Sequence, residues 1–393
     1  MIPKIDLPQG FQAAGINSGV RRYRPDLGLI VSDRPCVAAG SFTTNSLRAA
    51  PVQYSQSLLP SNDIRAIIVN SGQANAATGA EGIEDNLRLV SKLGEVFKFD
   101  SKQVLIASTG VIGVRMALDI LIPALPTLPR ALGDSINQFG LSIMTTDLVP
   151  KFTRHEIELS QGKIVICGAA KGSGMIHPNM ATMLGFVLMD AVVDKNWLDE
   201  TLRSIVDETF NMISVDGETS TNDCVMALAN GASGVKVQNA RDEEVLRAGF
   251  KKVCEELAIS IARDGEGATK LITVKVSGGN SVQEVRQAAR LITTSPLIKS
   301  AVHGEDPNWG RILARLGQSG IRSELFLKLN VKLQGIPVFE NGKPKAFDRP
   351  FVRALLRSEN ILIECELNAG HFNATAWGCD LTKRYVEINT EYT

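Results

Sequence analysis

Strand-like and helix-like patterns of apolar residues alternate along most of the chain. In DIRAIIVNSGQAN (63–75) the apolar run AIIV predicts a buried strand that runs out into a loop of Asn, Ser and Gly. EGIEDNLRLVSKLGEVF follows, with Ile83, Leu87, Val90 and Leu93 spaced like one face of a helix. SKQVLIASTG (101–110) repeats the design, VLIA as strand and Ser108-Thr109-Gly110 as loop. KIVICGAA (163–170) and TMLGFVLMDAVV (182–193) read as further core strands. A helix follows with Leu198, Leu202, Ile205 and Phe210 at roughly helical spacing, and another is expected from about Glu243 to Ala262. That second helix ends at the loop Asp264-Gly265-Glu266-Gly267.

The character changes near residue 280. Ser281-Val282-Gln283-Glu284 is a capping box opening a helix that carries Val285, Ala289 and Ile292. Beyond it the pattern is mostly β. Leu327, Leu329, Val331 and Leu333 alternate with Lys328, Asn330, Lys332 and Gln334, as in a half-buried strand. Asn341-Gly342 fits a tight hairpin turn, and Pro337 and Pro344 put that hairpin at a sheet edge. ILIECEL (361–367) and the terminal YVEIN (385–389) are expected to be strands. No repeat, low-complexity tract or Pro/Ser linker interrupts the chain, so the border expected between 1–280 and 281–393 is a packed one.

At 393 residues the chain is too long for one hydrophobic core. The 42 basic and 42 acidic residues cancel, leaving no positive field to hold nucleic acid or an anionic membrane. The six cysteines (36, 167, 224, 254, 365, 379) include no C-x-x-C pair, and the four histidines form no ligand spacing. Neither a disulfide framework nor a metal site is expected. MIPKIDLPQGF lacks a signal-peptide core, and the apolar stretch Ala181–Val193 is broken by Asp190 and too short to span a bilayer. A soluble, cytoplasmic protein is the expectation.

The segment KGSGMIHPNMATMLGF (171–186) raises a chemical question. Thr182 stands where a glycine-rich loop becomes an apolar strand. A threonine hydroxyl is a poor nucleophile without an adjacent base, and four dispersed histidines offer no evident Ser-His-Asp set. Cleavage of the bond before Thr182 would free its α-amine, whose pKa of about 7.7–8.0 suits a base at neutral pH. The hydroxyl would attack the Ala181 carbonyl, and water would hydrolyse the resulting ester, leaving pieces of 181 and 212 residues (393 − 181 = 212). The segment by itself equally fits a β-branched residue that merely starts a strand.

The wider chain decides between them by resemblance. GSGMIHPNMATML resembles the processing site of the ornithine acetyltransferase (glutamate N-acetyltransferase) family of arginine biosynthesis. SFTTNSLRAAPV (41–52), NSGQANAATG (70–79), ASTGVIG (107–113), MTTD (144–147), DGETSTND (216–223), DGEGATK (264–270), GEDPNWGRI (304–312) and the tail GCDLTKRYVEINTEYT resemble it too, in the family's order. The resemblance implies a layered α/β sandwich of the type shared with self-processing aminopeptidases, with a smaller α+β C-terminal domain. It implies cleavage between Ala181 and Thr182 and an α2β2 assembly of the fragments. Thr182 would take acetyl from N2-acetylornithine, release ornithine, and pass the acetyl group to glutamate. The bifunctional form, which also accepts acetyl-CoA as donor, is expected, and no bound cofactor.

Thr109 and Gly110 match the family's oxyanion-hole positions. Thr145 (with Thr146 its close competitor), Lys171, Thr182, Glu266 and Asn389 match substrate-binding positions. Lys171 suits a substrate carboxylate and Glu266 a substrate ammonium. The family tail usually runs one residue further, so either the tail is shorter here or Thr393 substitutes in the terminal contact. Gln73 and Ala77 replace a common Asn and Cys at positions with no proposed chemistry. His177 reads as a loop histidine, while Asn222 and Asp306 read as braces for the loops around Thr182. Two rivals stand beside this: a self-processing aminopeptidase or amidase, and an uncleaved phosphate-binding protein. GEGATK lacks the G-x-x-x-x-G-K-[ST] spacing the latter would want.

Overall fold

The structure, a computed structural model, describes residues 3–177 and 183–390. It is a mixed α/β protein with two sheets, one in each of two compact units. The first unit gathers Met1–Gly172, Asn179–Asp207 and Thr219–Ala258; the second gathers Ser173–Pro178, Glu208–Glu218 and Ile259–Thr393. The longest segment of the second unit starts at Ile259, and Leu271–Gly279 is an inner strand of its sheet.

The first sheet contains β1 (Phe11–Ile16), β2 (Leu27–Phe42), β3 (Ser61–Gln73), β4 (Val104–Val111), β5 (Lys151–Leu159), β6 (Gly162–Lys171) and β7 (Leu184–Met189). After the two-residue β8 (Ile213–Ser214), which belongs to the second sheet, β9 (Cys224–Ala229) completes the first. Its order is β4-β3-β2-β9-β7-β6-β5, with β1 on β2. AIIV lacks alternation because β3 is buried on both faces. Ile67 and Val69 join one core with Ile30, Leu105, Phe139 and Phe186, while Ala66 and Ile68 join another with Leu27, Leu89 and Leu93. The helix Gly79–Phe97 covers that second face.

That helix corrects one expectation. Ile83 and Leu87 are exposed, and the buried stripe is Gly82, Asp85, Asn86, Leu89, Val90 and Leu93. Two polar residues hold core positions, Asp85 paired and Asn86 bonded through its Oδ1 while its Nδ2 has no hydrogen-bond partner among the described residues. Asp85 takes a bidentate contact from Arg115 at 2.8 and 2.7 Å, and Asn86 accepts from Asn75 at 3.0 Å.

The second sheet runs, with β10 (Leu271–Gly279), β11 (Asn330–Leu333), β12 (Ile336–Glu340), β13 (Lys343–Pro344), β14 (Asn360–Glu366) and β15 (Phe372–Cys379), in the order β13-β12-β11-β14-β10-β15-β8. Asn341 and Gly342 both adopt positive φ, the geometry of a two-residue hairpin, and the hairpin lies at the edge. Ser281 Oγ accepts from the Glu284 amide as expected, but Glu284 reaches back to the Asn280 amide, at 2.7 Å. Two expectations fail. The alternating stretch from Leu327 is a strand only over Asn330–Leu333, since Ser323–Leu327 is a 3-10 turn. YVEIN lies in the helix Lys383–Thr390, where Val386 faces solvent. All six cysteines are buried free thiols, and among the described residues no helix is long and apolar enough to cross a membrane.

Candidate active site

The first unit concentrates the expected residues where strands of its sheet end. β3 and β4 are parallel, so Ser71 pairs with Thr109 and Gly72 with Gly110. Ser108, Thr109 and Gly110, expected as a loop, lie inside β4; Gly110 has φ +132°, and a Cβ there would lie 2.3 Å from the Gly72 carbonyl carbon, so only glycine lets the two strands pair this closely. The end of β4 is held on both sides. Ser108 Oγ donates to Asn70 Oδ1 at 2.5 Å, and the Ser108 carbonyl accepts from Asn222 Nδ2 at 2.9 Å. The same Asn222 amide reaches the Ala74 carbonyl at 2.6 Å. A strand end held this rigidly can present preset donors to a developing negative oxygen.

β6 ends at Lys171, which pairs across the ladder with Leu184. Its ammonium is buried, 3.4 Å from Thr145 Oγ1. Asp147 organises the neighbourhood. Its Oδ1 accepts from Lys151 Nζ at 2.6 Å and from the Gly172 amide at 2.8 Å, and its Oδ2 from the Thr145 amide at 3.0 Å. Burial alone would raise the Asp147 pKa, but Lys151, Lys171 and the Gly172 N–H outweigh it and bring it down to about 2. The segment Thr145–Asp147 is thereby locked beside a buried cation that can meet a carboxylate.

β7 and β9 start side by side and in parallel, Leu184 opposite Cys224. Just before them, the Met183 amide donates to Asp223 Oδ1 at 2.8 Å, and the Cys224 amide to the Met183 carbonyl at 3.2 Å. Asp223 is fully buried, which pushes its pKa well up; the Met183 N–H and the Lys171 charge offset this only in part.

The second unit holds Glu266 and Asn389, joined by a 2.8 Å bond from Asn389 Nδ2 to Glu266 Oε2. Gly174 gives Glu266 its space, since a Cβ there would fall 2.4 Å from the carboxyl carbon. Asp216 caps the turn before His177, accepting from the Met175 and Ile176 amides at 2.5 and 2.9 Å. Burial lowers the His177 pKa and favours the neutral ring. Asp306 serves its own loop, bonded to Arg349 at 2.7 Å and Asn308 at 3.1 Å. Ala181, Thr182 and Thr393 lie outside the described residues. Among those described, no group of three or more His, Cys, Asp or Glu side chains is placed to hold a metal ion.

The family model described as the ArgJ family matches residues 12–393, nearly the whole chain.

The chain belongs to the ArgJ family.

An ArgJ relative from Bacillus cereus, named an arginine biosynthesis bifunctional protein, is 43% identical over 389 residues, 98% of this chain and 95% of its own. One of the same name from Synechococcus is 46% identical over 402 residues, 98% of this chain and 96% of its own. The crystal structure of the ArgJ protein of Bacillus halodurans matches with a TM-score of 0.52 and 40% identity, covering 54% of this chain and 100% of that one. As an ArgJ protein the chain is an enzyme of arginine biosynthesis, an acetyltransferase.

Sequence reasoning left Asp147, Lys151 and Asp223 without roles, although MTTD and DGETSTND were among the ArgJ-like segments. A signal existed for Asp223: an acid directly before the unbroken apolar run CVMALA must be buried with its strand. Lys151, itself the first residue of β5, carried no such mark.

Proposed function

We propose that this ArgJ enzyme transfers acetyl from N2-acetylornithine to glutamate through an acetyl ester on Thr182, and that it also acetylates glutamate from acetyl-CoA. Family membership across residues 12–393, with relatives named as bifunctional at 43–46% identity, carries the proposal. The chain first cuts itself between Ala181 and Thr182. The size of the Bacillus halodurans chain agrees with this: it is matched in full by 54% of the present chain, and 212 of 393 residues is that share.

In the proposed cycle the freed α-amine of Thr182 takes the hydroxyl proton as Oγ attacks the acetyl carbonyl. Thr109 and Gly110, at the end of β4, receive the oxyanion. Lys171, with Thr145 beside it, binds the substrate carboxylate, and Glu266 with Asn389 and the terminal Thr393 binds its ammonium end. Ornithine leaves with the proton, glutamate enters, and the steps reverse. The 181- and 212-residue fragments stay together, as α2β2, in the cytoplasm.

Purified protein incubated with glutamate and either donor tests the reading. N-acetylglutamate should form from both, with ping-pong kinetics for the N2-acetylornithine reaction. Hydrolysis of the donor without an amine acceptor would favour an amidase instead, and silence with acetyl-CoA would restrict the enzyme to the single transfer.

A further inference from the structure

The loop between β1 and β2, residues 17–26, gathers Arg21, Arg22, Tyr23 and Arg24 in succession. No acid stands among them, in a chain whose charges otherwise cancel. The acid that follows, Asp26, is spent on shaping the loop. Its side chain is fully buried and accepts from the Ser18 and Arg21 amides at 2.7 Å each. Its main chain ties the loop to the sheet, the amide donating to the Ile16 carbonyl at 2.9 Å and the carbonyl accepting from the Ser71 amide at 2.8 Å.

The loop is also fixed against the strand ends of the first unit. A Cβ on Gly72, the ladder partner of Gly110, would lie 2.9 Å from Val20 Cγ1, so Val20 packs directly over that pair. Arg21 donates to the Met144 carbonyl, and Arg24 Nη1 to the Thr145 carbonyl at 3.4 Å. The hydroxyl of the same Thr145 is 3.4 Å from Lys171 Nζ. The basic loop therefore borders both the end of β4 and the Lys171–Thr145 pair, all within one compact unit. Its tip faces solvent: Arg22 and Arg24 are exposed and Tyr23 is 81% exposed, with the Arg22 guanidinium 5.1 Å from the Tyr23 ring centroid. Neither Arg22 nor Arg24 pairs with a carboxylate among the described residues.

Guanidinium groups grip phosphate through paired N–H donors, and an open aromatic ring stacks on a nucleobase. Among the substrates of the proposed reactions, N2-acetylornithine and glutamate offer no anion beyond a carboxylate. Acetyl-CoA adds a diphosphate, a 3′-phosphate and an adenine ring. We propose that residues 22–24 form the nucleotide-binding site for acetyl-CoA, Arg22 and Arg24 holding the phosphates and Tyr23 stacking on the adenine. The flexible pantetheine arm then leads the thioester along Thr145. The proposal rests on the reading that acetyl-CoA is a donor, and it assigns the loop no part in the transfer from N2-acetylornithine.

The test compares donors on the purified enzyme with glutamate as acceptor. The double variant Arg22→Gln/Tyr23→Ala removes side chains that make no bond to the segment 144–147. Its KM for acetyl-CoA should rise about tenfold or more. Its kcat/KM for N2-acetylornithine and its KM for glutamate should stay at wild-type values. S-acetylpantetheine, a thioester without phosphates or adenine, should serve the wild type and the variant equally well, as a distorted loop would not allow. A KM for acetyl-CoA within about threefold of wild type overturns the proposal. So does an equal loss with S-acetylpantetheine, N2-acetylornithine or glutamate. A wild-type enzyme that uses N2-acetylornithine but makes no N-acetylglutamate from acetyl-CoA would instead overturn the donor reading beneath it.

Discussion

Replacing Asp147 with asparagine should unlock the Lys171 neighbourhood at a measurable loss of stability. The Asp147–Lys151 pair is 2.6 Å long, with side chains 0% and 1% exposed. The folded pKa of about 2 lies below the ordinary 3.8. That difference is roughly two units, or about 2–3 kcal/mol favouring the ionised folded state at neutral pH. Because the folded value is the lower one, this contribution is complete above pH of about 4 and is lost as pH falls toward 2. Removing the carboxylate also leaves the buried Lys151 ammonium without its counter-charge, so the loss in Asp147→Asn should reach about 3–5 kcal/mol. Urea unfolding at neutral pH measures it as a shift of the midpoint at constant slope. Adding Lys151→Met should restore most of the stability while leaving acetyl transfer impaired, since Thr145 and Gly172 stay unanchored. A single variant within about 0.5 kcal/mol of wild type would refute the reasoning.

Further outcomes follow from the same geometry. Gly110→Ala forces a Cβ to 2.3 Å from the Gly72 backbone at a φ that alanine avoids, so soluble yield should fall and the surviving chain should stay uncut on a gel. Asn222→Ala strips bonds of 2.6 and 2.9 Å from the Ala74 and Ser108 carbonyls; denaturant unfolding should show a loss of about 2–4 kcal/mol, and a pulse–chase of the full-length chain on a denaturing gel slower cleavage. Gly174→Ala pushes on the Glu266 carboxyl, so KM for N2-acetylornithine should rise about tenfold while kcat holds, as steady-state assays would show.

Part of the first sheet was legible because double burial writes itself as unbroken apolar runs such as AIIV and VLIA, whereas the equally apolar CVMALA of β9 was passed over. The amphipathic helix was legible in kind and misjudged in phase. Ile83 and Leu87 outvoted Asp85 and Asn86 on hydrophobicity, yet Arg115 and Asn75 make those two polar side chains the better core residues. YVEIN misled through its β-formers, and an exposed terminal helix needs no regular apolar stripe. At the site, Thr109, Gly110, Thr145, Lys171, Glu266 and Asn389 came from resemblance rather than from physics. The residues that hold them are recognisable only once strands far apart in sequence lie together: Asp147 beside Gly172, Asn222 beside Ser108, and Asp223 beside Met183.

The most direct measurement is mass spectrometry of the active protein after brief exposure to N2-acetylornithine with no acceptor present. Two polypeptides should appear, the shorter ending at Ala181 and the longer beginning at Thr182, and the longer should carry one acetyl group on its first residue. An intact chain of 393 residues with full activity, or two fragments with no acetyl on Thr182, would contradict the account.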